Sequence, residues 1–150
     1  MRKAFVVAST VLLVAFALQF VFAAVGAFTK PAGDGAYALH SVTGMAVIPV
    51  LTLLTILFAV LAKAPGRLVG LAVLPLGLVV LQALLAMLAN AFTDAVGAST
   101  PVGLTIAGLH AINGIVAVHV VVGVLRAART LASPAPAAAA QVSVREGEPA

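Results

Sequence analysis

The sequence predicts an all-α membrane protein, a bundle of four transmembrane helices built from two similar hairpins. The first observation is composition, because 63% of the 150 residues are hydrophobic and only 8% are charged. A soluble domain carries about 25% charged residues, since water must hydrate its surface. The second observation is a set of four apolar runs without Asp, Glu, Lys or Arg, each exceeding the ~20 residues that cross a bilayer as a helix. Lipid is therefore the expected solvent for most of the surface.

The four apolar runs are predicted to be helices rather than strands. In lipid, only helices and closed barrels satisfy their backbone polar groups, and these runs lack the alternating pattern of barrel strands. Together they form one transmembrane domain over residues 1–129. The helices are predicted at about residues 4–28, 36–62, 68–92 and 102–125.

Turn-forming residues separate the helices. Asp34 is expected to cap the second helix, and Ser99 or Thr100 is expected to cap the fourth, with Pro101 at the first helical position. After the last helix, residues 130–150 are predicted to be a disordered cytoplasmic tail, because they have too little apolar surface to bury. The predicted loops lie at residues 28–35, 63–67 and 94–100.

The basic residues predict the orientation. If the four helices alternate in direction, six basic residues flank one membrane face, whereas Lys30 with Asp34 and Asp94 flanks the other. The positive-inside rule then places both termini in the cytoplasm, in a multi-pass protein of the bacterial cytoplasmic membrane. The first run exceeds the 7–15 apolar residues of a signal peptide, so it is predicted to be retained. The six residues are Arg2, Lys3, Lys63, Arg67, Arg126 and Arg129.

The two hairpins share a polar motif. The first helix of each hairpin contains a glutamine, Gln19 or Gln82, and the second contains His-x-x-polar-Gly, beginning at His40 or His110. Such a repeat predicts a pseudo-twofold axis along the membrane normal. Chance similarity between Leu-, Ala- and Val-rich segments is the alternative.

His40 and His110 are predicted to be the axial ligands of a b-type haem. An ionisable residue inside a membrane span marks a functional site by default. Both histidines lie in the outer halves of their helices, and the second and fourth helices are expected to face each other diagonally across the bundle. Two neutral imidazoles at matched depth are what six-coordinate haem iron requires.

Four further residues are predicted to complete the cofactor site. Gly44 and Gly114 each follow a histidine by four residues, so each lies on the same helix face and leaves room for a flat macrocycle. Close helix packing is the alternative role for either glycine. Gln19 and Gln82 are the candidate acceptors for the second ring N–H of the histidines, with an ordinary interhelical hydrogen bond as the alternative.

Other polar residues near the histidines have less defined expected roles. Thr43 and Asn113 follow the histidines by three residues and are expected to contact the ring or the residues around it. Tyr37 and Lys30 are expected to meet haem propionates at the outer surface.

Three more residues inside the spans are expected to lie outside the site. His119 follows His110 by nine residues, which places it on the opposite face of the fourth helix, so packing or partner contact is favoured over a second site. Pro49 and Pro75 each remove a backbone hydrogen bond and are expected to kink their helices.

Short motifs give the chain a family resemblance. Leu39-His40 and Leu109-His110-Ala-Ile-Asn113 resemble small four-helix membrane proteins of unknown function from actinobacteria, over residues 4–129. The chain is more loosely similar to one four-helix half of haem A synthase, whose second and fourth helices carry haem-binding histidines. This resemblance implies haem binding at His40 and His110. It does not imply synthase activity, because no acidic residue lies in any span.

Two function classes follow from these patterns. One is a haem protein that transfers electrons or holds haem. The other is a non-catalytic accessory or scaffold subunit of a larger membrane complex or homo-oligomer, in which the histidines and glutamines only join helices. A transporter or channel component is less favoured without charged pore residues. Enzyme activity is not expected, since Cys and paired carboxylates are absent, and nucleic acid is not expected because the basic residues flank membrane spans.

Overall fold

Four long helices account for most of the structure, a computed structural model that describes residues 1–31, 33 and 35–133. All four are long and apolar enough to cross a membrane, which confirms the predicted all-α membrane fold. Asp34 and residues 134–150 lie outside the described residues, and so do the cap and most of the tail predicted there. The helices are α1 Arg2–Phe28, α2 Ala38–Leu61, α3 Gly66–Ala91 and α4 Pro101–Ala132.

The helices pack as a four-membered ring. Each helix contacts the next one in the sequence, and α4 closes the ring against α1. As predicted, α2 and α4 therefore lie diagonally across the bundle. Because successive helices run in opposite directions, the six basic residues lie together at one end, here called the basic end. The opposite end, with Lys30, Asp94 and both candidate histidines, is called the histidine end.

The tightest packing lies at the basic end and in the middle of the bundle. Apolar side chains from all four helices bury one another there, and Phe5 is fully buried. Toward the histidine end this packing gives way to a cavity. The basic-end cluster comprises Phe5, Ala59, Ala62, Leu68, Ala72, Val124 and Ala128, and the middle cluster comprises Leu12, Ala15, Phe16, Ile48, Ala117 and Val121.

Phe5→Ala is expected to destabilise the folded bundle by about 2 kcal/mol. In a water-soluble core the loss is ~3–5 kcal/mol, but lipid also solvates the ring in the unfolded state, so mainly packing is lost. Reversible unfolding in mixed micelles measures the change. Val7→Ala is the control, because Val7 is 62% exposed on the same helix. Equal losses in both variants would contradict the assignment of the core.

The fourth helix extends beyond its predicted end. Hydropathy falls at Arg126, where the membrane span ends, but α4 continues to Ala132. Ala, Arg and Leu favour helix, and Ala128 is fully buried in the basic-end cluster. Residues 130–132, assigned from the sequence to the tail, are therefore helical.

The loop before α4 has the predicted cap. Thr100 is the N-cap, and its Oγ1 accepts a hydrogen bond from the Gly103 N–H at 3.2 Å. The same hydroxyl donates to the Phe92 carbonyl at 2.7 Å, and Pro101 is the first helical residue. Thr100 therefore joins the end of α3 to the start of α4.

The two prolines inside helices behave differently. Before Pro49, α2 contains a π turn over Thr43–Val47, in which the Ile48 N–H donates to the Thr43 carbonyl five residues earlier. A proline ring crowds the carbonyl four residues before it, and the wider turn gives it room. Pro75 is buried inside α3, which continues through it as one helix.

Candidate functional site

A cavity of about 340 Å³ lies among the four helices at the histidine end. Cofactor sites have volumes of ~300–1,000 Å³ and are lined mainly by apolar residues with a few polar groups. This cavity has that character, with alanines, phenylalanines and methionines around two histidines and two glutamines. All six candidate residues from the sequence line it: Gln19, His40, Gly44, Gln82, His110 and Gly114.

The structure brings the two predicted histidines together. The ring centres of His40 and His110 are 6.3 Å apart, and the ring planes are inclined by 50°. The two residues come from diagonal helices, so their rings meet across the interior of the bundle at the same depth. Both side chains are partly buried.

Each histidine ring is held by a main-chain carbonyl of the preceding helix. Nδ1 of His40 lies 3.0 Å from the Gln19 carbonyl oxygen, and Nδ1 of His110 lies 3.0 Å from the Gln82 carbonyl oxygen. A carbonyl only accepts, so Nδ1 carries a proton in both rings, and Nε2 of a neutral ring then retains its lone pair. The two residues that the sequence offers as acceptors, Gln19 and Gln82, supply them, and in both cases the acceptor is the main-chain carbonyl rather than the side-chain amide.

The Gln82 side chain instead fastens α4 to α3. Its Nε2 donates to the His110 carbonyl at 2.8 Å, while its Oε1 accepts from Nδ2 of Asn113. Asn113 also donates to the Leu78 carbonyl at 2.9 Å and is only 8% exposed. His110 therefore lies within a closed set of interhelical hydrogen bonds.

The equivalent set around His40 is incomplete. Oε1 of Gln19 is buried without a hydrogen-bond partner among the described residues. The position equivalent to Asn113 is Thr43, which makes no hydrogen bond to the Gln19 amide in the described part of the chain. The two hairpins thus share their histidine–carbonyl contact and differ in the side chains around it.

Both glycines after the histidines allow a glutamine amide to approach the helix. A Cβ on Gly44 would lie 2.5 Å from Nε2 of Gln19, and a Cβ on Gly114 would lie 3.4 Å from Nε2 of Gln82. Both glycines also line the cavity. At each glycine, therefore, one side of the residue packs against a glutamine amide and another side faces the cavity.

Tyr37 covers His40 from the histidine end. The two rings meet edge to face, with centres 6.5 Å apart and planes inclined by 81°. The tyrosine ring lies on Gly26 of α1, where an added Cβ would come within 2.5 Å of it. The absence of a side chain at Gly26 thus allows the start of α2 to dock against α1.

His119 lies apart from the cavity, as predicted. It is exposed on α4, and its Nδ1 donates to the Ile115 carbonyl at 2.9 Å within the same helix. The nine-residue spacing from His110 directs it to the other face. It therefore serves as a matched control for the two cavity histidines.

Some cavity residues give little signal in the sequence. Phe20 and Met87 line the cavity, yet they resemble the other apolar residues of their helices. Ala86 also lines the cavity and follows Gln82 by four residues, and this helical spacing from a polar residue is the signal that marks it as a neighbour.

Comparison with known proteins gives one match. Residues 19–91 match a family described as a family of unknown function, DUF6220. The match covers just under half of the chain and includes Gln19, His40 and Gln82, but it ends before His110. No curated protein and no solved structure matches the chain. Nothing in these comparisons links the chain to haem A synthase or to actinobacteria.

Proposed function

We propose that this membrane protein holds one b-type haem between His40 and His110 and uses it to transfer electrons or to hold the haem itself. The observation that carries the proposal is the 6.3 Å separation of the two ring centres. A metal–imidazole bond is ~2 Å long, so rings on opposite sides of one iron have centres about 6 Å apart. The two rings are therefore spaced for a single iron atom.

The protonation of the rings supports the same assignment. Haem iron is bound by a nitrogen lone pair, and a ligating histidine usually donates its other N–H to an acceptor. The carbonyls of Gln19 and Gln82 are such acceptors, and they leave Nε2 of each ring as the ligand atom. Neither histidine ring therefore needs to change its tautomer before Nε2 binds haem iron.

The residues that line the cavity also support binding of an apolar macrocycle. The walls are apolar, Gly44 and Gly114 present no side chain, and the cavity reaches all four helices. When bound, haem supplies a one-electron redox centre. The protein residues hold it, orient it and exclude water from the iron on the side of the packed middle cluster.

We also propose the orientation, with the basic end in the cytoplasm. Six basic residues lie at the basic end, and Lys30 is the basic residue at the histidine end among the described residues. Basic residues accumulate on the cytoplasmic side of short membrane loops. The histidine site then lies toward the outer face of a bacterial cytoplasmic membrane, with Tyr37 and Lys30 near the propionates.

The alternative is a scaffold subunit in which the histidines only join helices. The hydrogen bonds from Nδ1 of His40 and His110 serve that role equally well. Such joints do not require the two rings to face each other at 6.3 Å. This spacing therefore favours the haem protein, and visible absorbance separates the two functions.

Absorbance of the purified protein tests the proposal. The protein, produced with a haem supply and purified in mild detergent, is expected to show a low-spin Soret band with one haem per chain. The double variant His40→Ala/His110→Ala is expected to lose at least nine-tenths of it, because both ligand atoms are gone. His119→Ala is the control and is expected to keep the spectrum. Folded protein without absorbance after added haemin, or equal loss in His119→Ala, would refute the proposal.

A further inference from the structure

We infer that His40 is the exchangeable axial ligand and His110 the permanent one, so that a small neutral ligand can bind the iron in place of His40. This inference rests on the proposed haem site. It assigns a second binding site to the protein, for an uncharged diatomic molecule with a donor lone pair. The evidence for it is that the two hairpins hold their histidines differently.

His110 is held at several points. Its ring donates to the Gln82 carbonyl, its own carbonyl accepts from the Gln82 amide, and that amide is held by the buried Asn113. The His110 ring itself has one hydrogen bond, as the His40 ring does. Moving the main chain at His110, however, disturbs further hydrogen bonds between α3 and α4 that lipid cannot replace. The ligand from α4 is fixed in place.

His40 is held less firmly. Among the described residues its ring has one hydrogen bond, to the Gln19 carbonyl, and the Gln19 amide oxygen is buried without a partner. Thr43 stands where the other hairpin has Asn113, and no described residue bonds the Gln19 amide oxygen. In the part of the chain that the structure describes, no side chain bonds the main-chain carbonyl of His40, whereas the Gln82 amide bonds that of His110. Moving the His40 segment therefore breaks one side-chain hydrogen bond.

The position of His40 in its helix adds to this freedom. His40 is the third residue of α2, whereas His110 is the tenth residue of α4. Helix ends open more readily than helix interiors. The π turn at Thr43–Val47 follows directly, so the short helical segment Ala38–Val42 lies between a loop and an irregular turn. That segment can move without disturbing the rest of α2.

Tyr37 is the contact that opposes this movement. Its ring lies between His40 and Gly26 and holds the start of α2 against α1. The side chain is 47% exposed, so the contact lies at the rim of the bundle rather than in its core. It limits exchange without preventing it.

The exchange itself is a ligand substitution. With haem bound, Nε2 of His40 would leave the iron and the donor atom of the incoming neutral ligand would take its place, so one bond to the iron would replace another. No proton or electron moves, since the released imidazole stays neutral with Nδ1 protonated. Nε2 of His40 is then free to accept a hydrogen bond.

Carbon monoxide binding to the reduced protein tests the inference. His40→Ala is expected to keep most of its haem, become high-spin and bind carbon monoxide at least tenfold faster than the unmodified protein. His110→Ala is expected to retain less than one-fifth of the haem. A protein without haem would defeat the proposed function itself. Bound haem with the two variants behaving alike, or with their roles reversed, would overturn the exchange alone.

A reciprocal exchange of side chains provides a second test. Thr43→Asn supplies the missing donor for the Gln19 amide and is expected to slow carbon monoxide binding several-fold. Asn113→Thr removes the corresponding donor from the other half and is expected to lower haem retention. Tyr37→Ala frees the start of α2 and is expected to speed carbon monoxide binding. If Thr43→Asn and Tyr37→Ala both leave that rate unchanged, the asymmetry does not govern exchange.

Discussion

Gly114→Leu is expected to remove at least nine-tenths of the bound haem, whereas Gly108→Leu leaves haem content unchanged. Gly114 lines the cavity one helical turn from His110, so a leucine there occupies the space beside the ligand atom. Gly108 lies on the same helix, with nothing within 4 Å of an added Cβ. Both variants replace a glycine of α4 with leucine, but Gly114 lines the cavity and Gly108 does not. Haem stoichiometry, measured as pyridine haemochrome per chain, reports the outcome.

The fold of the Gly114→Leu protein is checked separately. Leucine favours helix over glycine by ~0.8 kcal/mol, but its Cβ would lie 3.4 Å from Nε2 of Gln82 and 3.8 Å from the Phe20 ring. These side chains must shift slightly, and circular dichroism and the unfolding midpoint measure whether the fold is retained. A well-folded Gly114→Leu protein with full haem content would show that the cofactor, if bound, lies elsewhere. Equal loss in Gly108→Leu would point to helix packing rather than to the cavity.

The membrane spans and the pair of histidines could both be predicted from the sequence, for the same reason. In a lipid solvent, polar residues are costly, so His40, His110, Gln19 and Gln82 stand out against an apolar background. Their repeated spacing placed one histidine on each hairpin. The observed pair of histidine–carbonyl contacts shows that equivalent residues occupy equivalent places.

The remaining features depend on atoms that residue patterns do not reveal. The acceptors for the histidine rings are main-chain carbonyls of Gln19 and Gln82, and any residue type supplies a carbonyl. The ring of Pro49 crowds the carbonyl four residues before it, and a helix can relieve this crowding by a kink or by a wider turn. The residue pattern does not show that the chain forms a π turn there. The end of α4 depends on packing at Ala128, whereas hydropathy records only where the membrane ends.

The bundle is tightly packed at one end and contains a cavity at the other. The tightly packed basic-end cluster includes fully buried Phe5 and Val124, whereas the histidine end contains the cavity and the irregular start of α2. Ligand-binding segments are drawn from the less stable parts of proteins. The packed end would therefore hold the helices together during the proposed movement of the His40 segment.

Gly103→Ala is expected to destabilise the bundle by about 3 kcal/mol, near the upper end of ordinary overpacking. A Cβ at Gly103 would lie 2.6 Å from the Phe92 carbonyl oxygen and 3.1 Å from that of Ala89. Both are backbone atoms, so the start of α4 must move away from the end of α3. Reversible unfolding in mixed micelles measures the loss. Gly108→Ala is the control, expected to stabilise by up to ~1 kcal/mol through helix propensity.

The same substitution is expected to affect the proposed haem site. Gly103 precedes His110 by seven residues, or two helical turns, so both lie on the face of α4 that meets α3. Separating the helices at Gly103 lengthens the hydrogen bond between His110 Nδ1 and the Gln82 carbonyl, and haem retention falls along with stability. A Gly103→Ala protein as stable as the Gly108→Ala control would mean that α3 and α4 do not approach closely there. The position of His110 would then need another cause.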